Sequence, residues 1–367
     1  MLKILAIFLI IAFHMTQTLT AYTDTAADYV INLKEFSLDS PGQSFFLYLF
    51  RQFGALGNSI FFICSAWFLV DSRKRYGKKI AKLLMEVWTV SVVILIVVLL
   101  TGTVDIGRVT ILRCVLPSTF CNNWYITYYC LFLAIVPFLN LILEKLSQKQ
   151  HLILILFIIV LRIAVEPFTT EWAYTVPSLS IDKWILVYFV IAYMKMYLPN
   201  ISSSTKMNAL LLLLGTGVYL LCVAMNTYGF KSNALVTILI NGWQVRQFYL
   251  YAMAIALFNL FRKINFHNKL IIRISGYSLL IYILHENLLI REYYRPMVLT
   301  HIYEKFGYDY IVGWVLLLAL VTFVCALILS MFFDLTIGRM TKQVIEKYYS
   351  KFSMVSSSIL DRVIRIQ

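Results

Sequence analysis

The feature that most constrains this chain is a succession of apolar stretches, each close to the length that crosses a bilayer as a helix. They fall near residues 4–21, 53–71, 80–101, 124–143, 151–165, 183–198, 207–225, 247–261, 270–290 and 311–333. Roughly 20 apolar residues at a rise of about 1.5 Å each cover the hydrocarbon layer. A helix also satisfies its own backbone hydrogen bonds there, which an isolated strand does not. The expectation is an all-α integral membrane protein of about ten transmembrane helices. The stretches at 151–165 and 247–261 are short enough to be tilted, broken or partly re-entrant, and 311–333 is long enough to tilt. Composition excludes the soluble alternative. The chain is 61% hydrophobic and 14% charged, against roughly 45–50% and about 25% in a soluble domain.

A net charge of +14 would by itself suggest a nucleic-acid partner. Its distribution argues for a membrane and no nucleic acid, because the basic residues sit mostly in short connections between the apolar stretches. With the N-terminus inside, 21 Lys and Arg fall in cytoplasmic segments and 10 in outer ones, the bias of the positive-inside rule. An even number of crossings then puts both termini in the cytoplasm. Residues 1–335 form one polytopic membrane domain, with residues 22–52 as the longest outer loop. Residues 336–367 form a basic cytoplasmic tail in which Val344, Ile345, Tyr348, Tyr349 and Phe352 fit an interfacial helix. The opening stretch faintly resembles a signal peptide, but Leu19 is large where a cleavage site wants a small residue. The six cysteines form no CxxC or Cys/His cluster, so no metal is expected. Cys114 and Cys121 share an outer loop, where a disulfide is permitted.

Ionisable groups inside a span cost about 2.5–3.5 kcal/mol each at a helix centre, so each asks for a reason. His14 follows Lys3 by eleven positions. On a helix the two lie within about 20° of one stripe and roughly 16 Å apart along the axis. Lys3 alone reads as a topology signal with a snorkelling head group. An imidazole, which titrates near pH 6.5 when unperturbed, suits proton transfer at neutral pH; the competing account of His14 is a hydrogen-bonded packing residue. Arg75, Lys78, Lys79 and Lys82 share one helix face at the inner surface. They fit either a landing strip for a polyanion or contacts with lipid head groups. His285, Glu286 and Asn287 end the ninth stretch, with Arg291 one turn on. His285 and His14 then lie at similar depth on two outward-running helices, and face one chamber if those helices pack together. A structural polar cluster is the other reading. Arg162 with Glu166, and Glu86 near the basic stripe, read as local ion pairs. Trp124 and Tyr125 open the fourth stretch, where an aromatic belt is the ordinary explanation.

These residues together resemble a known family, the bacterial membrane O-acyltransferases of acyltransferase family three. The segment from Lys3 to His14 is similar to its opening signature, a basic residue and a histidine separated by ten positions. Phe61-Phe62-Ile63-Cys64-Ser65-Ala66-Trp67-Phe68-Leu69 resembles its "FF-x-S-G-aromatic-L" segment, and Lys79-x-x-Lys82 its basic pair opening the third helix. Trp124-Tyr125-Ile126 and Tyr282-Ile283-Leu284-His285-Glu286-Asn287 resemble its Trp-aromatic-aliphatic and "Y-L-I-H" segments. Lys3 stands where arginine is usual, and Ala66 where glycine is common. The resemblance covers residues 3 to about 333. It implies transfer of an acyl group, most often acetyl, from cytoplasmic acyl-coenzyme A to a hydroxyl of a cell-surface or lipid-linked glycan, in a bacterial inner membrane. Lys3, Lys79 and Lys82 would hold the coenzyme. His14, His285 and Glu286 would carry the chemistry, and Trp124, Tyr125 and Asn287 would meet the acceptor. A transporter or flippase of a lipid-linked glycan is the alternative, and a catalytically dead assembly partner a third.

Overall fold

The structure, a computed structural model, describes residues 1–20, 36, 39–72, 76–169, 181–228, 243–307 and 309–348, with backbone alone at 162–169 and 243–247. Every regular element among the described residues is helical. In chain order these are α1 (Leu2–Leu19), α2 (Pro41–Leu69), α3 (Gly77–Thr101), α4 (Arg108–Val115), α5 (Trp124–Lys145), α6 (Gln148–Thr169) and α7 (Ile181–Tyr197). They continue with α8 (Pro199–Ser203), α9 (Thr205–Thr227), α10 (Trp243–Phe261), α11 (Lys269–Gly276) and α12 (Ser278–His285). A π-helical turn (Ile290–Tyr294), α13 (Arg295–Phe306), α14 (Ile311–Leu335) and α15 (337–348) complete the chain. Among the described residues, α1, α2, α3, α5, α9 and α14 are each long and apolar enough to cross a membrane.

The first helix is enclosed. It packs along α2 and also touches α14, α12, α13, α10 and α11. Ala6, Ile7, Ile10, Ile11 and Ala12 are almost wholly buried. α1 and α2 run antiparallel, since Gly57 faces Ala6 and Ile10 while Gly54 faces Phe13. A Cβ on Gly57 would lie 2.7 Å from the Ala6 carbonyl oxygen, so only glycine lets the two backbones approach so closely. Ala66 of α2 is wholly buried.

This register gives the bundle two distinct ends. The end that carries Lys3 also carries the C-terminus of α2, the N-terminus of α3 and the C-termini of α5, α7 and α10. Asn140 of α5 donates to the carbonyls of Leu69 and Ser72 there, and Lys195 of α7 pairs with Asp71. The opposite end carries α4, the turn before α5, the π turn and α13, tied together by Arg113, which grips Glu292 with both guanidinium nitrogens at 3.0 and 3.2 Å.

Each apolar stretch read from the sequence coincides with helix, with one correction of substance. The stretch at 270–290 is not one continuous helix. It breaks into α11, none of whose residues is buried, and α12, which is buried along almost its whole length, followed by a turn at Glu286 and Asn287. Gly276 and Ser278 flank the break, which weakens helix continuity. The backbone released at the C-terminus of α12 finds other donors. Arg295 donates to the His285 carbonyl at 2.5 Å, and Asn123 to the Glu286 carbonyl at 3.3 Å. Such partners allow an interrupted helix to persist away from water. α4, α13 and the first turns of α2, from Pro41 to Gln52, are helices within segments read as outer loops. The tail starts as α15, where Ile345 is buried and Glu346 lies 3.7 Å from Lys78. Tyr349 and Phe352 lie outside the described residues, as does the side-chain pairing of Arg162 with Glu166.

Candidate active site

α1 and α12 bring two imidazoles into contact. His14 Nδ1 lies 3.0 Å from His285 Nε2 and 3.1 Å from Glu286 Oε1. His285 Nδ1 lies 2.9 Å from the Ile281 carbonyl oxygen. A carbonyl only accepts, so this contact assigns the hydrogen of neutral His285 to Nδ1 and leaves Nε2 as an acceptor. His14 must then donate from Nδ1, shared between His285 Nε2 and Glu286 Oε1. Its own Nε2 is left with a lone pair, and no described residue hydrogen-bonds it. The network thus orients His14 as a base with one free nitrogen, held by a carboxylate in the way that a histidine–carboxylate pair is held in acyl-transfer triads.

The carboxylate is itself held. Arg295 Nη2 donates to Glu286 Oε1 at 2.6 Å, and Arg291 Nη1 lies 3.8 Å from Oε2. His14, His285, Glu286 and Arg295 are all buried. Burial of an unpaired charge costs several kcal/mol, and the Glu286–Arg295 pair avoids that cost. Arg291 also donates to the Asn122 carbonyl at 3.0 Å and to Glu292 at 3.1 Å. The histidine site is therefore closed toward the α4 end by a continuous polar network. Its existence depends on the π turn, which places Arg291 and Arg295 on the histidine side.

An aromatic column leads from the histidines toward the Lys3 end. Tyr282 lies edge-on to His285, with ring centres 5.7 Å apart, and 5.8 Å from Tyr125. Tyr125 stacks toward Tyr129 at 6.4 Å and packs on Phe61 and Trp184. Lys79 ends the column, donating to Tyr129 Oη at 2.8 Å. Tyr282 Oη is buried and makes no hydrogen bond of ordinary geometry.

The structure brings together only part of the residue set read from sequence. His14, His285 and Glu286 meet, and Tyr125 joins them through Tyr282. Trp124 packs on Tyr125 and Tyr128 at the mouth of the column and is half-buried. Asn287 is turned to local work, its Oδ1 accepting from the Leu289 amide at 3.0 Å. Lys3 is exposed at the start of α1. Lys82 pairs with Glu86 at 3.5 Å, as expected of Glu86. Cys114 and Cys121 are both free thiols. Sequence reasoning missed Arg295 and Asn123. Arg295 lay in plain view as a cation beside Pro296 in an apolar neighbourhood, but nothing in its spacing pointed to Glu286.

His14, His285 and Glu286 also have the spacing of a metal-ligand set, their ligand atoms lying within 4.8 Å of one another. Two guanidiniums on the same carboxylate oppose a dication there, so the array suits proton handling better. A protein-family model, the acyltransferase domain, matches residues 1–331. No curated protein and no solved structure matches the chain.

Proposed function

Because this chain belongs to acyltransferase family 3, we propose that it moves an acyl group, acetyl by preference, from cytoplasmic acyl-coenzyme A to a hydroxyl of a cell-surface or lipid-linked glycan. Both termini then lie in the cytoplasm of a bacterial cell whose inner membrane the bundle crosses. The observation that carries the reading is His14, whose Nε2 no described residue hydrogen-bonds, fixed by His285 and Glu286 in a buried site eleven positions along α1 from Lys3. The coenzyme head would rest at the Lys3 end while its arm follows the Tyr129–Tyr125–Tyr282 column to the histidines.

In this reading His14 Nε2 removes the proton of the acceptor hydroxyl, and that oxygen attacks the thioester carbonyl carbon. The tetrahedral intermediate puts negative charge on the former carbonyl oxygen, and the buried Tyr282 hydroxyl, which makes no hydrogen bond of ordinary geometry, is the donor we assign to it. Collapse breaks the C–S bond. The sulfur leaves with the proton held by His14, giving an O-acyl ester and free coenzyme A. Glu286 stabilises the transient imidazolium, and Arg295 keeps Glu286 ionised and in place. Trp124, at the mouth, would meet the acceptor.

Membranes given acetyl-labelled coenzyme A test this. Replacing His14→Ala should lower label incorporation into glycan about 10²–10⁴-fold at equal protein abundance, the usual contribution of a general base. Undiminished incorporation would remove His14 from its role.

A further inference from the structure

The Lys3 end holds a second cluster of cations that the family motifs do not contain. Trp67, half-buried near the end of α2, carries two positive groups on its ring: Arg262, with its guanidinium carbon 4.2 Å from the ring centre, and Lys195, with Nζ at 5.2 Å. Lys195 is anchored further, donating to the Trp67 carbonyl at 2.8 Å and pairing with Asp71. Phe258 braces the same indole at 5.4 Å. Arg262 is exposed and makes no ion pair among the described residues. Lys263, next to it, spends its ammonium on the Thr205 hydroxyl at 2.7 Å.

Two like charges on one ring repel, and the single carboxylate of the cluster already serves Lys195. The cluster therefore keeps an excess of positive charge at a fixed place. A guanidinium stacked on indole also keeps its N–H edge free, and that edge matches two phosphate oxygens in one plane. Its position is significant because the lysines expected to grip the coenzyme are partly committed: Lys82 to Glu86, and Lys79 to Tyr129. Coenzyme A carries a pyrophosphate and a phosphate monoester, more charge than Lys3 alone answers. α1 touches α10 and α11, the helices that flank Arg262, and Lys3 lies at the same end of the bundle as this cluster.

We propose that Arg262 and Lys195, held on Trp67, form a seat for phosphate groups of the acyl donor's nucleotide head. This rests on the acyl-coenzyme A reading above and adds residues to it. A lipid head group offers similar phosphate chemistry, and the test separates the two.

The full chain in neutral detergent is titrated with coenzyme A by calorimetry. Arg262→Ala should weaken binding by about tenfold to a hundredfold, the range for a lost hydrogen bond between charged groups. Arg262→Lys should lose less, keeping the charge without the planar fork. Trp67→Leu should weaken binding as Arg262→Ala does, because it removes the platform. Arg262 is exposed, so its variants keep the fold, checked by an unchanged melting temperature. Equal affinity of Arg262→Ala and the parent chain would overturn the seat. If the parent chain itself binds no coenzyme A, the acyl-donor reading fails first and the seat falls with it. The titration is repeated in nanodiscs of neutral lipid and of lipid rich in phosphatidylglycerol. A loss of affinity in Arg262→Ala that appears only with the anionic lipid would assign the cluster to head groups and overturn the seat.

Discussion

The two charged clusters of this protein are built on opposite terms. At His14, one carboxylate, one guanidinium and two imidazoles are buried, and each has a named partner. At Trp67, cations outnumber anions and Arg262 faces outward. The reason is the cost of burial. A charge without a partner is nearly free where water screens it and costs several kcal/mol where water is absent. The buried cluster must therefore have its charges paired before any substrate arrives, which suits it to holding a proton in one geometry. The open cluster keeps charge unanswered, which suits it to seizing an anion and letting it go.

The sharpest way to break this contrast is to leave the buried carboxylate alone. Replacing Arg295→Met removes the 2.6 Å contact to Glu286 and the donor to the His285 carbonyl. Stripping one partner from a buried pair typically destabilises by about 3–5 kcal/mol. The double variant Arg295→Met with Glu286→Gln should recover much of that, since the orphaned charge is gone. Thermal unfolding of the purified protein in detergent measures both. A single variant as stable as the parent would mean that water reaches the site and that the two clusters do not differ in kind.

A smaller effect sharpens the contrast from within the buried site. Tyr282 Oη is a buried polar atom there without an ordinary hydrogen bond. Replacing Tyr282→Phe removes a hydroxyl that makes no hydrogen bond of ordinary geometry, so stability should change little. If that hydroxyl answers the oxyanion, transfer should fall about a hundredfold, as for loss of one oxyanion donor. A variant that loses stability and keeps its rate would make Tyr282 a packing residue.

What the sequence made legible follows from where each signal resides. Hydrophobic stretches are local, so most helices of the bundle could be located within a few residues; α2 is the exception, beginning at Pro41 and not near residue 53, because its first turns lack a continuous apolar run. Lys3 and His14 share a stripe of one helix, and helical geometry alone sufficed to relate them. The approach of His14 to His285 spans 271 positions and rested on a conditional packing of two helices, supported by the family resemblance. The break before α12 was hidden because Gly276 and Ser278 are tolerated within apolar helices, and only partners far along the chain show that the turn is sustained. Arg295 escaped for the same reason. Its role depends on the π turn at Ile290–Tyr294, and that extra residue in the turn has no signature in residue type. The commitment of Asn287 to the Leu289 amide is local, yet it is visible only once the helix is known to restart there.

The smallest expected effect lies at the open end, and its smallness is the point. Lys82 and Glu86 form an i, i+4 pair at 3.5 Å, with the lysine side chain 59% exposed. Glu86 is only 16% exposed, but the ammonium stands in water, and a pair screened on that side contributes about 0–1 kcal/mol, so Lys82→Ala should shift the unfolding temperature little, against the large shift expected for Arg295→Met. Its effect on coenzyme A binding should also be modest, because the ammonium already has a carboxylate beside it. Glu86→Gln should act in the opposite direction, freeing Lys82 and strengthening binding a few-fold at low salt, with the gain lost as salt is raised. Tighter binding in Glu86→Gln and a weaker salt dependence in Lys82→Ala would together show that this end of the bundle works through charge in excess. If neither variant moves the affinity, Lys82 belongs to the lipid surface, and the recruiting role falls to the cations that have no carboxylate to answer them.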